Sequence, residues 1–82
     1  MLKNGSPVKF ESLIQKRTLK IIYQKFSKKY FTTREAVTQF YWLGCIEEHI
    51  DYMQERGWIS LDDGLFRFVV RMEDWSFGED VY

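Results

Sequence analysis

A single cysteine, Cys45, leaves no partner for an internal disulfide, and a single histidine, His49, cannot build a zinc site of the usual His and Cys composition. Neither a metal nor a cofactor is expected. The five glycines, Gly5, Gly44, Gly57, Gly64 and Gly78, are isolated from one another, so a glycine-rich phosphate loop is absent. Long apolar runs are missing too. Met1 is followed by Leu2, Lys3, Asn4 and Gly5 without the hydrophobic stretch of a signal peptide, and no segment is apolar over a membrane-spanning length. These absences predict a soluble protein with no membrane contact, cytoplasmic or nucleoid-associated inside the cell.

What is present is aromatic and charged. In 82 residues there are seven Phe, five Tyr and three Trp, with 45% apolar and 29% charged side chains, a composition that buries a core rather than staying solvated. The length suits one domain covering 1–82, with a core over about 7–72 and an acidic, aromatic tail at 73–82. A chain this short buries only ~60% of its unfolded surface, and large aromatics at ~150–250 Å² each compensate for a small core. Added stability from a partner copy, as in a homodimer, fits the same reasoning.

The net charge of zero conceals a division of sign. Residues 1–34 carry nine Lys and Arg against Glu11 alone, a net +8, whereas residues 35–82 carry Arg56, Arg67 and Arg71 against eleven acids, a net −8. Such asymmetry points to an interaction surface, or to two solvated faces that attract each other.

Ser6-Pro7, or Ser12 with Gln15 three residues on, offers a helix start. The stripe Leu19, Ile22, Tyr23, Phe26, Tyr30 then turns one side of a first helix inward and leaves Lys16, Lys20, Lys25, Lys28 and Lys29 largely in water. Thr32-Thr33-Arg34-Glu35 has the form of a capping box and opens a second helix with Ala36, Val37 and Phe40 inward. The run Phe40 to Gly44 reads as a turn. A third helix holds Ile46, Ile50 and Met53 on one face with His49 alongside, and stops at Gly57 in the C′ position.

An all-α bundle with one long central helix over 33–56 is the alternative, since Ala36, Phe40, Leu43, Ile46, Ile50 and Met53 also keep helical spacing without a break. The residues that follow favour the broken form. Trp58 to Leu61 and Leu65 to Met72 are rich in aromatic and β-branched residues, and Asp62-Asp63-Gly64 between them signals a hairpin. Phe66, Phe68, Val70 and Met72 are predicted to face the core, and Leu65, Arg67, Val69 and Arg71 the solvent. The expected fold is mainly α with a C-terminal β-hairpin.

Three helices followed by a hairpin is the order of a winged helix-turn-helix. The stretch Thr32 to Val70, about half of the chain, resembles that family. Thr33-Arg34-Glu35-Ala36 is similar to the opening of its second helix. Ile46, Ile50, Met53 and Glu55-Arg56-Gly57-Trp58-Ile59 are similar to its third helix running into the first wing strand, and Asp62-Asp63-Gly64 stands where the wing turns. The resemblance implies a small DNA-binding protein, a transcriptional regulator, with the third helix in the major groove and Trp42, Cys45, Glu48 and Asp51 near base edges.

The charges cut against that docking mode. Leu43 to Arg56 carries four acids and one Arg, and the wing tip is Asp62-Asp63, whereas affinity for duplex DNA comes from basic contacts that displace counterions. Positive charge lies instead at Lys28 and Lys29, at Arg34 where a helix N-terminus favours phosphate, and at Arg67 and Arg71. Together with Trp42 these are the expected nucleic-acid contacts; for the lysines, the alternative is an ordinary solvated helix face.

The competing class is a protein-interaction or adaptor module. Its acidic third helix, through Glu48 and Asp51, and its aromatics Tyr41, Trp42, Trp75, Phe77 and Tyr82 would dock a basic protein partner or a second copy. Tyr41 and Trp42 equally suit filling the core. The tail, Glu73 to Tyr82, reads as disordered by default, or as folding back on the basic first helix. Enzymatic chemistry finds no footing. Cys45 and His49 are one helical turn apart, but they read as a small packing residue and a helix-flank residue rather than a catalytic pair.

Overall fold

A computed structural model describes residues 14–78 and 81 of the chain. The candidate helix starts at Ser6-Pro7 and Ser12 lie outside the described residues, as does Tyr82. The first helix, α1, is Lys16–Phe26. It contains neither glycine nor proline, and its apolar spacing buries Leu19, Ile22 and Phe26 together with Thr18. The side chain of its N-cap residue, Gln15, makes no capping bond. Instead the Gln15 backbone N–H donates to His49 Nε2 at 3.0 Å, so the third helix holds the first turn of the first.

The chain leaves α1 at Ser27, and Phe31 then forms an antiparallel bridge with Phe66, exchanging N–H···O bonds of 2.9 and 2.7 Å. Tyr30 was expected on the buried stripe of the first helix. Because α1 ends at Phe26, Tyr30 falls on the connecting turn and is half exposed. The second helix, α2, is Thr33–Phe40, and Thr32 Oγ1 accepts from the Glu35 N–H at 3.0 Å, which is one half of the expected capping box, while the Glu35 carboxylate lies 3.7 Å from Lys29 Nζ.

The break expected after Phe40 is present, and the unbroken helix over 33–56 is not formed. The chain tightens into a 3₁₀ turn at Tyr41–Leu43, then passes Gly44 at φ 78°, ψ 150°, and Cys45 in the left-handed region at φ 56°. A positive φ with extended ψ is open only to glycine, so Gly44 is what lets the path change direction. The third helix, α3, is Ile46–Glu55, with Ile46, His49, Ile50 and Met53 buried. It ends in a Schellman motif: Gly57 has φ 80°, its N–H donates to Gln54 O, and the Trp58 N–H donates to Met53 O at 2.9 Å.

Two antiparallel strands follow, β1 at Ile59–Asp62 and β2 at Leu65–Phe68, with Leu61 opposite Phe66 and Ile59 opposite Phe68. Both central turn residues, Asp63 at φ 56° and Gly64 at φ 82°, have the positive φ of a type I′ hairpin. The second strand was expected to run to Met72. It ends at Phe68, one further bond joins the Val69 N–H to Trp58 O, and the chain turns through a 3₁₀ segment at Met72–Asp74.

That turn corrects the boundary of the core, which was expected to stop near residue 72. Trp75 is only 9% exposed, and its ring stacks on Trp58 with centroids 4.3 Å apart and 2° between planes. Its indole N–H donates to Val70 O at 3.2 Å, Phe77 sets its edge against Trp58, and the Gly78 N–H donates to the Tyr52 hydroxyl. Val81 is buried as well. The described part of the segment read as a tail is therefore a strap across α3 and the hairpin. It does meet α1, as the fold-back reading required, but through rings rather than carboxylates: Trp75 lies edge-on to Tyr23, and Lys16 Nζ sits over Phe77. The core is continuous from Leu19 and Phe26 through Phe31, Ile50 and Met53 to Trp58 and Trp75. Among the described residues, no helix is long and apolar enough to cross a membrane.

Candidate functional site

Two surfaces stand out, opposite in sign. The first lies where α1 gives way to the bridging segment and β2. Ser27, Lys28, Lys29, Tyr30, Arg67 and Phe68 surround an open recess of about 320 Å³. Lys28 and Lys29 arrive there because the helix ends one turn earlier, and Arg67 because it points away from the core side of β2, where its neighbours Phe66 and Phe68 lie inward. Three expected nucleic-acid contacts thus come together from two separated segments. Lys29 Nζ also lies 3.7 Å from Glu35 and 5.5 Å above the Phe26 ring, which ties the recess to the first turn of α2. Arg34 is exposed on that same turn, beside the recess but not lining it.

Arg71 does not join them. With β2 ending at Phe68, it lies instead by Lys20, Tyr23 and Phe77, and its guanidinium is 3.3 Å from Glu73 and 3.8 Å from Asp74. Its charge is offset locally. Ser27 and Tyr30 line the recess without having been expected there; the missing signal is the end of α1, which neither glycine nor proline marks.

The second surface is the outward side of α3. Glu47, Glu48, Asp51, Gln54 and Glu55 are all exposed, and Ile46–Glu55 contains no Lys or Arg. At its N-terminal end Tyr41 and Trp42 are 73% and 64% exposed, set edge to face at 6.2 Å, so neither fills the core. Val37, Tyr41, Cys45, Ile46, Glu47 and Glu48 line a shallow recess between α2 and α3. Trp75 and Phe77, expected as interaction anchors, are taken up by the core contacts already described. Their rings pack on Trp58, which leaves Trp75 buried and Phe77 half-buried.

Cys45 and His49 take roles opposite to those expected. The Cys45 side chain is exposed rather than packed, while His49 is 1% exposed rather than flanking. The Cys45 carbonyl, not its thiol, meets Nδ1 at 2.6 Å, so Nδ1–H donates there and Nε2 accepts from Gln15. Burial pushes the imidazole below its usual range, against the opposing pulls of the Cys45 carbonyl and the Glu48 charge. Among the described residues no group of three or more His, Cys, Asp or Glu is placed to hold a metal ion. No protein-family model, curated protein or solved structure matches the chain.

Proposed function

We propose that the chain is a winged-helix protein that binds duplex DNA through the basic corner of Lys28, Lys29 and Arg67, with Arg34 beside it, and keeps α3 out of the groove. The winged-helix assignment rests on the tight turn between α2 and α3 followed directly by the hairpin. One observation carries the function: cations from the end of α1 and from β2 converge on one recess, where Glu35 offsets Lys29 in part while Lys28 and Arg67 have no ion pair among the described residues. Phosphate contacts need clustered cations on one face, and α3 offers only carboxylates and Gln54.

Three to four phosphate contacts give a salt slope of about −3, and so a loss of affinity on the order of 50–150-fold between about 50 and 200 mM salt. Fluorescence anisotropy of a labelled random duplex across that series tests it. Lys28→Ala and Arg67→Ala should each lower the slope by about 1, while Glu48→Gln on α3 leaves it unchanged. Absence of binding at the lowest salt overturns the reading. A second reading, a protein-docking module, is favoured by the exposure of Tyr41 and Trp42 next to the acidic side of α3.

A further inference from the structure

We infer that the acidic side of α3, with Tyr41 and Trp42 at its end, docks the basic side of α1 from a second copy of the same chain, so that copies join head to tail. This inference does not depend on DNA binding. The chain supplies both halves of the contact. α1 exposes Arg17, Lys20, Gln24 and Lys25, and Lys16–Phe26 contains no acid. α3 exposes Glu47, Glu48, Asp51, Gln54 and Glu55 and contains no Lys or Arg.

The two sides also agree in length. Arg17 and Lys25 are eight residues apart on one helix, as are Glu47 and Glu55 on the other, so at 1.5 Å per residue each charged row is about 12 Å long. A basic helix laid along α3 would meet carboxylates over its whole run. Tyr41 and Trp42 add the large, rigid, half-polar rings that anchor interfaces, at the edge of the charged row rather than within it.

Within one copy this pairing cannot be made. α1 and α3 turn their buried sides, Leu19, Ile22 and Phe26 on one and His49, Ile50 and Met53 on the other, into the same core, so their charged sides look outward and away from each other. The ion pairs among the described residues, Lys29 with Glu35 and Arg71 with Glu73 and Asp74, join neither side to the other. Because donor and acceptor sides are different patches of one molecule, the contact is heterologous and builds a chain or a ring rather than a two-fold dimer.

Sedimentation velocity of the intact protein over a concentration series provides the test. At low salt the weight-average mass should rise with concentration, and added NaCl should reverse the rise. Glu48→Gln with Asp51→Asn, and separately Lys20→Gln with Lys25→Gln, should each weaken association by about tenfold or more. Both pairs are exposed, and circular dichroism checks that each variant is folded. Mixing the two variants restores one intact contact, so the mixture should form a one-to-one complex that grows no further. Trp42→Ala should weaken association without changing any charge, which non-specific attraction would not reproduce. A monomer at all concentrations overturns the inference, and so does association that ignores all three changes. Binding of a lysine-rich peptide to such a monomer would assign the acidic side to a foreign partner instead.

Discussion

His49 is neutral in the fold for a reason that can be read from its two contacts. Nδ1–H donates to Cys45 O and Nε2 accepts the Gln15 N–H, so a second proton on Nε2 would set donor against donor between α1 and α3. Burial lowers its folded pKa below the ordinary 6.5 of a free imidazole, and as the pH falls the unfolded chain takes up the proton first. The stabilisation is therefore complete above that value and lost progressively below it. Urea unfolding should show the midpoint falling between about pH 7.5 and 5, and His49→Gln should remove most of that slope. A wild-type midpoint that is flat over this range would refute the assignment. Gly44 makes a simpler case. No atom lies within 4 Å of where its Cβ would stand, so the cost of Gly44→Ala is conformational alone, about 1–3 kcal/mol by denaturant unfolding. A cost near zero would mean that the turn has another route.

Among the elements, the strap from Met72 to Gly78 ties α1, α3 and the hairpin together through Trp75 and Phe77. Trp75 stacks on Trp58, meets Tyr23 and Phe68, and bonds Val70 O, so Trp75→Ala should cost about 3–5 kcal/mol and broaden the unfolding transition. A loss below about 0.5 kcal/mol would mean that the strap is not part of the core. Most local punctuation was legible in the sequence because short-range chemistry fixes it: Thr32 with Glu35, Gly57 after α3, and Asp63-Gly64 in the hairpin all do what their residue types require. The break at Gly44 was legible too. The strap was not, since Trp75 is buried by Trp58, seventeen residues earlier, and its own neighbours carry no period. The Gln15 contact to His49 spans 34 residues and leaves no local trace either. Of the basic corner, the cations were legible as residue types, and their convergence was not, because it depends on where α1 and β2 end. Arg71 shows the same dependence in reverse: three residues of further strand would have set it on the same face as Arg67, and the turn sends it to Glu73 and Asp74 instead.

Taken whole, the molecule is electrically neutral yet holds its charges apart, and this gives stability an unusual salt dependence. Lys16 with Lys20, Arg17 with Lys20, Glu47 with Asp51, Glu48 with Asp51, and Asp51 with Glu55 are like-charged neighbours at helical spacing. Each costs about 0.2–0.5 kcal/mol at low salt. No ion pair among the described residues joins the α1 side to the α3 side, and the observed pairs are exposed and worth about 0–1 kcal/mol each. Repulsion within each side therefore outweighs attraction between them. At a protein concentration low enough to keep single copies, raising NaCl from about 0.02 to 0.5 M should stabilise the fold by about 1 kcal/mol, measured by urea unfolding. A loss of stability would mean that attraction across the core dominates. The same separation is what the proposed contact would use: α1 of one copy laid against α3 of another would set opposite charges face to face, which no ion pair among the described residues does within one copy.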